Sequence, residues 1–129
     1  MTEEESFRLA PLTLAYIGDA VWELEVRTSL VMEGVRLPHR LHARAVDMVR
    51  AKAQADRLFA IMDRLTDRER AVVRRGRNAK SASMPKNATV ADYRASTGLE
   101  ALFGYLYVSQ QEERLKEVVG WVLDGQNQD

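Results

Sequence analysis

Two apolar stretches, each containing one carboxylate close to a glycine, restrict most strongly how this chain folds. The first covers residues 14–22 and is apolar apart from Asp19, and the second covers residues 97–107 and has Glu100 as its only acid. Because an ionised carboxylate in apolar surroundings is costly without a compensating cation, such an acid usually has a partner or a task. Glycines allow two helix backbones to approach closely. The pattern therefore predicts that the two helices pack together and share a hard divalent cation, most plausibly magnesium.

A purely structural role for each acid is the alternative to this metal site. Arg27 and Arg94 are positioned along the chain as candidate ion-pair partners for the two acids. Structural ion pairs also perturb carboxylates, so a single stretch of this kind favours the structural role. The second, matching stretch makes a shared cation about as plausible, and the residues alone leave both interpretations open.

The composition excludes several kinds of site and favours one domain, residues 1–129, with a sizeable core. The absence of cysteine excludes disulfides and cysteine-ligated zinc. The only two histidines, His39 and His42, lie in one segment, so a histidine-based metal site is not expected. No run approaches the ~18 apolar residues of a membrane span. The acidic N-terminus lacks the features of a signal peptide, so we expect a cytoplasmic protein.

The net charge of zero hides a strong asymmetry along the chain. Residues 1–35 carry a net charge of −5, residues 36–94 carry +9, and residues 95–129 carry −4. Both acid-bearing stretches therefore lie outside a cationic middle segment. A nuclease needs cations that hold the phosphate backbone beside acids that hold a metal. A solvated helix face is the alternative explanation of the basic segment.

Apolar residues recur at helical spacing almost everywhere, and no convincing alternating strand is present, which predicts an all-α fold. A helix is expected from near Pro11 to about Met32, with Gly34 as its cap. An amphipathic helical pattern then extends from His39 to about Leu65.

Capping-box patterns predict three further helix starts, at residues 66–69, 89–92 and 109–112. The first of these helices is expected to end near Gly76, and the second to carry Glu100 to about Val108. Residues 77–88 form the clearest predicted loop, which is polar, basic and suited to phosphate contacts. The polar tail after Gly125 is expected to fray.

Several of these stretches together resemble one known family. Residues 16–21, Tyr-Ile-Gly-Asp-Ala-Val, resemble the signature helix of the ribonuclease III catalytic domain, and residues 100–104 with Tyr107 are similar to its second acidic helix. The short length, without an appended double-stranded-RNA-binding domain, resembles the Mini-III branch. Three more stretches support that branch: residues 51–55, residues 74–81, and residues 85–87 leading to Tyr93 and Arg94.

This resemblance implies an all-α ribonuclease III endonuclease-domain helical bundle that works as a homodimer. It implies magnesium-dependent cleavage of double-stranded RNA by two active sites per dimer, one for each strand, leaving short 3′ overhangs. For the Mini-III branch it further implies maturation of the large-subunit ribosomal RNA precursor, assisted by a ribosomal protein.

The resemblance also implies roles for particular residues. Asp19 and Glu100 match the family's essential acids, which are catalytic and bind magnesium. Tyr16 matches the aromatic side chain that inserts into the partner subunit at the dimer interface, with ordinary core packing as the alternative. The residues expected to bind RNA are Arg74, Arg75, Arg77, Asn78, Lys80, Ser81 and Lys86.

The chain departs from the family pattern at two acidic positions. Ala15 and Thr97 stand where full-length ribonucleases III usually carry additional acids, which leaves the number of metal ions open. Glu23 lies one turn after Asp19 and is expected to pair with Arg27, with a supporting role near the metal as the alternative. Because of the thinner acidic set, a non-catalytic helical module that binds structured RNA stays the main rival, followed by a helical dimerisation protein.

Overall fold

The structure of the protein is a computed structural model that describes residues 1–79 and 88–126, and side chains as far as residue 124. The described residues form seven α-helices and one 3-10 turn, with no strand, which confirms the predicted all-α fold. The predicted polar loop and tail lie largely outside these residues. The helices are α1 (Glu3–Phe7), α2 (Pro11–Glu33), α3 (Pro38–Val49), α4 (Ala51–Ile61), α5 (Asp67–Asn78), α6 (Val90–Val108) and α7 (Glu112–Gln126), and the 3-10 turn spans Met62–Arg64.

Helix α6 is the centre of the fold. Its residues from Ala95 to Leu106 are buried apart from Glu100, which is only partly buried. Helices α2, α4 and α5 pack around it, and α7 closes the remaining side. Trp22 of α2 stacks on Phe103 of α6 with ring centroids 5.2 Å apart, and both side chains are fully buried. A helix buried on nearly every face explains why the second apolar stretch carries so few polar residues.

Helix α2 follows the sequence prediction closely. It begins at Pro11, whose missing N–H costs nothing in a first turn. It ends at Glu33, because Gly34 takes a left-handed conformation with φ of 115° and caps the helix by donating to the Leu30 and Val31 carbonyls.

The amphipathic pattern between His39 and Leu65 is broken into two helices, contrary to the single run that the sequence suggests. Arg50 adopts an extended conformation, with φ −59° and ψ 145°, so α3 ends and α4 begins there. The side-chain amide of Gln54 donates a 2.8 Å hydrogen bond to the Val49 carbonyl, a backbone group that the break leaves open.

Two of the three predicted helix starts are confirmed. Thr66 forms a reciprocal capping box with Glu69, and the Thr89 hydroxyl accepts a 3.0 Å hydrogen bond from the Asp92 amide. The third is wrong in detail, because the Ser109 hydroxyl donates back to the Tyr105 carbonyl at 2.7 Å and terminates α6. Gln110 then turns the chain with a φ of 60°, so α7 starts only at Glu112.

No helix within the described ranges combines the length and the apolar character that crossing a membrane requires.

Candidate functional site

The candidate site lies where α2 and α6 cross, and two glycines determine how closely they approach. A Cβ atom added to Gly18 would overlap the backbone carbonyl of Glu100, and one added to Gly104 would overlap the carbonyl of Leu14. The two backbones are therefore in direct contact, which a larger residue at either glycine prevents. The close approach places the helix segment that carries Asp19 directly against the segment that carries Glu100.

The Asp19 and Glu100 side chains meet at this crossing, as the sequence predicts. A side-chain hydrogen bond joins the Glu100 and Asp19 carboxyl groups. Burial, followed by this contact and by the negative charge of Asp19, raises the pKa of Glu100 to about 9. The premise that both acids are buried is wrong for Asp19, which is exposed at the mouth of the site, whereas Glu100 lies deeper and is half-buried.

No basic side chain in residues 1–79 and 88–124 forms an ion pair with either acid. Arg27 instead pairs with Glu23 at 3.2 Å, which confirms the expected Glu23–Arg27 pair, and Arg94 is exposed. Thus neither arginine compensates the charge of the two acids. Within the described residues, no three acidic, histidine or cysteine side chains are placed to hold one metal ion together. Glu23 lies close enough for its negative charge to contribute, after burial and Asp19, to the raised pKa of Glu100.

Gln54 is a member of the site that the sequence analysis missed. Its side chain is 2% exposed, and it donates a hydrogen bond to the Glu100 carboxylate that partly offsets the rise in the pKa of Glu100. Position 54 falls among alanines on the inner face of α4, so a long polar residue at a core position was the available signal. Thr97, at one of the positions where an acid is missing, donates its hydroxyl to the Tyr93 carbonyl at 3.0 Å.

Helix α5 reaches the same region through a second pair of glycines. A Cβ atom on Gly76 would lie 2.8 Å from the Gly98 Cα, and one on Gly98 would lie 2.8 Å from the Cγ of Arg77. The basic C-terminal end of α5 therefore packs against α6 two residues before Glu100. This packing brings part of the cationic middle segment next to the acidic pair.

The predicted RNA-binding residues differ in how free their side chains are. Arg74 and Asn78 are exposed, and the Arg77 guanidinium lies 5.4 Å from the centre of the Phe59 ring. Arg75 contacts the N-terminal segment instead, donating to the Phe7 and Leu9 carbonyls and packing on the Phe7 ring. The other three predicted residues lie outside the described part of the chain, and they are Lys80, Ser81 and Lys86.

Tyr16 is 80% exposed, so it does not contribute to the core of its own chain. It belongs to an apolar face of α2 that also includes Leu24, which is 64% exposed. Next to it is a cavity of about 460 Å³ between α2, the end of α6 and the start of α7. Its lining is mainly apolar and comprises Ile17, Ala20, Val21, Leu24, Glu25, Tyr107, Glu112, Leu115 and Lys116. We refer to Tyr16 and this lining as the α2 apolar face.

A helical fold that joins two carboxylates at a glycine crossing, beside a basic helix end, defines a class of helical nuclease domains. A sequence model of the ribonuclease III domain matches residues 12–111, and the chain belongs to that family. It is an endoribonuclease of the ribonuclease III type, in the Mini-ribonuclease 3 branch. The ribonuclease III family acts on double-stranded RNA.

Relatives and a solved structure support this assignment over nearly the whole chain. Mini-ribonuclease 3 of Symbiobacterium thermophilum is 53% identical over 116 residues, covering 90% of this chain and 89% of that protein. Mini-ribonuclease 3 of Enterococcus faecalis is 46% identical over 118 residues, again covering 90% and 89%. The crystal structure of a protein from Fusobacterium nucleatum superposes with a TM-score of 0.81 at 32% identity, covering 92% of this chain and 95% of that one.

Proposed function

We propose that the whole chain, residues 1–129, acts as one catalytic domain that cleaves double-stranded RNA, with Asp19 and Glu100 as its catalytic acids. The observation that carries the proposal is the contact between these two side chains, which come from different helices and have no basic partner within the described residues. A fold that needed them only for stability would place a cation of its own beside them.

We propose magnesium as the cofactor, held by Asp19 and Glu100. The site fits a hard divalent cation, because two carboxylates converge there and one of them is kept protonated at neutral pH by burial and by the other's charge. With a divalent cation held between them, Asp19 and Glu100 would no longer repel each other, and Glu100 would bind as a carboxylate despite its burial. When bound, magnesium supplies a more acidic water and neutralises charge on the phosphodiester. Asp19, the exposed member, is the acid that an incoming RNA backbone meets first.

The basic end of α5 is proposed to hold the RNA backbone beside the acids. Arg74, Arg77 and Asn78 are available for phosphate and sugar contacts, and Arg77 packs against Gly98 next to Glu100. Lys80, Ser81 and Lys86 are proposed to extend this contact. Arg75 remains a predicted contact, although RNA has to compete there with two backbone carbonyls and an aromatic ring.

A homodimer is proposed to form through the α2 apolar face. Tyr16 of one copy is proposed to insert against the other copy, because an aromatic ring exposed to 80% beside an apolar cavity is unfavourable in water. The face borders the acidic site, because Tyr16 and Asp19 are one turn apart on α2. Two copies would therefore present two acidic sites to one duplex.

Within the cell we propose that the substrate is the precursor of large-subunit ribosomal RNA, processed in the cytoplasm with a ribosomal protein as helper. This finer assignment comes from membership of the Mini-ribonuclease 3 branch. Proteins recognise an RNA duplex mainly by its shape and its 2′-hydroxyls, so few side chains are needed to recognise bases. Selection of one site in a precursor would then depend on RNA structure or on the helper.

The substitution Asp19→Asn tests the proposed activity. We expect magnesium-dependent cleavage of a long RNA duplex to fall by at least about 10³-fold, because loss of a metal-binding catalytic group removes charge stabilisation in the transition state. Duplex affinity measured in a chelator should be unchanged or slightly higher, since a negative charge near the phosphates is removed. Asp63→Asn is the matched control, because Asp63 is also an exposed aspartate but lies on the 3-10 turn away from α2.

Two results would contradict the proposal in different ways. If the unaltered protein binds the duplex but never cleaves it with magnesium, the non-catalytic RNA-binding module is the better description. If Asp19→Asn and Asp63→Asn cleave at the same rate, the activity belongs to another part of the chain.

A further inference from the structure

Gln54 lies at a junction between the acidic site and the basic α3–α4 segment. It is in the first turn of α4, immediately after the break at Arg50, and its side chain is directed into the core with 2% of its surface exposed. A fully buried glutamine is uncommon, because its amide group has to find partners away from water. The hydrogen-bond partners of the Gln54 amide therefore indicate what this glutamine does in the protein.

The Gln54 amide nitrogen joins two different elements. It donates a 2.8 Å hydrogen bond to the Val49 carbonyl at the end of α3, and the same amide group donates to the Glu100 carboxylate of α6. The first contact fixes the amide relative to the backbone of the helix break. The second contact then restricts the position of the Glu100 carboxyl group.

The amide oxygen of Gln54 is buried and has no hydrogen-bond partner within the described part of the protein. An unpaired buried oxygen destabilises the folded chain, and an apolar side chain of similar length would avoid this cost. The bond to the Val49 carbonyl gives the amide nitrogen a structural role, but the unpaired oxygen offsets its contribution to stability, so glutamine at position 54 calls for a second reason. The contact with Glu100 gives one, because in the part of the chain that the structure describes Gln54 is the amide that donates to the Glu100 carboxyl group.

We propose that Gln54 is a positioning residue of the acidic site, which holds the Glu100 carboxylate in the orientation that binds a divalent cation together with Asp19. The inference rests on the proposed function, because it presupposes a cation at this pair. It also accounts for how the site works without the additional acids whose positions are taken by Ala15 and Thr97. An oriented carboxylate binds a cation without first losing rotational freedom, so fewer acidic groups are needed.

Calorimetric titration of the full chain with Mn²⁺ in the absence of RNA tests this role. Gln54→Met keeps the length of the side chain and removes the amide, and we expect its dissociation constant for Mn²⁺ to rise about tenfold or more. The matched control is Gln111→Met, because Gln111 donates its side-chain amide to the Ser109 hydroxyl at 2.9 Å in the turn between α6 and α7. For this control we expect Mn²⁺ binding within about twofold of the unaltered protein.

Thermal unfolding and RNA affinity separate positioning from a structural role. Gln54→Met leaves the Val49 carbonyl without its donor, so either role predicts some fall in the unfolding temperature. Positioning predicts in addition that the folded variant loses Mn²⁺ affinity while it binds an RNA duplex normally in a chelator. If instead the variant unfolds at a lower temperature while its Mn²⁺ affinity is unchanged, the residue is structural and the inference is wrong. If Gln54→Met does not fold, Gln54→Asn, which withdraws the amide by one methylene, is required to show the same loss of Mn²⁺ affinity, and unchanged affinity overturns the inference.

The proposed function and this inference fail in distinguishable ways. Absence of Mn²⁺ binding by the unaltered protein contradicts the metal site itself, and the role of Gln54 with it. Normal Mn²⁺ binding by the unaltered protein, together with equal binding by Gln54→Met, contradicts only the role of Gln54.

Discussion

At Glu100, two effects oppose ionisation of one carboxyl group. Burial removes water from the carboxylate, and the Asp19 carboxylate adds a negative charge beside it, so the pKa of Glu100 rises to about 9. Near neutral pH the folded chain therefore keeps a proton that the unfolded chain releases. This difference makes the stability of the metal-free protein dependent on pH.

The substitution Glu100→Gln is expected to stabilise the metal-free protein at pH 8. Between pH 4.5 and about 9 the folded state binds one more proton than the unfolded state, so the free energy of unfolding falls as the pH rises. Glutamine does not titrate, so the free energy of unfolding of Glu100→Gln does not fall with pH in this way. In a chelator we therefore expect its unfolding temperature at pH 8 to be roughly 3–8 °C higher than that of the unaltered protein. At pH 5 the difference should be small, because the pH-dependent loss has scarcely begun.

Differential scanning calorimetry at the two pH values, with a chelator and then with magnesium, measures this effect. Magnesium should raise the unfolding temperature of the unaltered protein and leave that of Glu100→Gln nearly unchanged, since ligands stabilise only the state that binds them. A variant that is less stable than the unaltered protein at pH 8 in chelator would contradict the assignment of a protonated Glu100.

The contact between the two acids could be predicted from the sequence, whereas their surroundings could not. A lone acid beside or near a glycine in each of two apolar stretches is a pattern that the chain displays directly. By contrast, the exposure of Asp19 depends on which face of α2 the neighbouring helices leave open. Gln54 approaches Glu100 only because the chain bends at Arg50, and no proline or glycine marks that bend.

At the scale of the helices, the crossing of α2 and α6 depends on the absence of two side chains. Gly18 and Gly104 each face a backbone carbonyl of the opposite helix, so α2 and α6 meet without intervening side chains. Flexible side chains can move aside when a methyl group is added, but a helical carbonyl cannot. Substitution at either glycine must therefore push the helices apart and separate Asp19 from Glu100.

Gly104→Ala is expected to destabilise the protein by about 3 kcal/mol, the upper end of the cost of overpacking a core. Gly120→Ala is the matched control, because Gly120 is also inside a helix and no atom lies within 4 Å of its missing Cβ. That control should gain roughly 0.5–1 kcal/mol from the better helix propensity of alanine. Urea unfolding of the two variants measures both values, and a similar effect at the two glycines would contradict the close crossing.

Helix boundaries were predictable where a local contact determines them, and were not where the rest of the fold does. The Thr66 capping box and the left-handed Gly34 depend on residues within one turn, and both were found as expected. Ser109 fits the capping-box pattern equally well, yet its hydroxyl bonds to the end of α6. The same short side chain can terminate one helix or begin the next, and packing of α6 and α7 determines which occurs.

At the scale of the whole molecule, the positive and negative charges that cancel in the sequence form a basic surface and an acidic site. Cleavage of RNA requires these two to lie close together. The cationic middle segment provides the end of α5, and the two acidic end segments provide α2 and the part of α6 that carries Glu100. Charge counts along the chain indicated this separation, but the Gly76–Gly98 contact that joins the surfaces appears only in three dimensions. RNA affinity should accordingly depend steeply on salt, because the basic surface binds phosphates.

The α2 apolar face leads to the last expectation, that Tyr16→Glu converts the proposed dimer into a monomer. Burying a charged side chain against an apolar surface without a partner is unfavourable, so the glutamate opposes association of two chains. It leaves the fold of each chain intact. Tyr16 is exposed in the single chain, and the unfolding temperature of the monomeric variant at low concentration should therefore match that of the dissociated protein.

Met32→Glu is the control, because Met32 is 81% exposed at the other end of the same helix, outside the α2 apolar face. Sedimentation equilibrium should give a dimer mass for the unaltered protein and Met32→Glu, and a mass near 14.7 kDa for Tyr16→Glu. If all three proteins sediment as monomers, the dimer is wrong; if all three are dimers, association uses another surface.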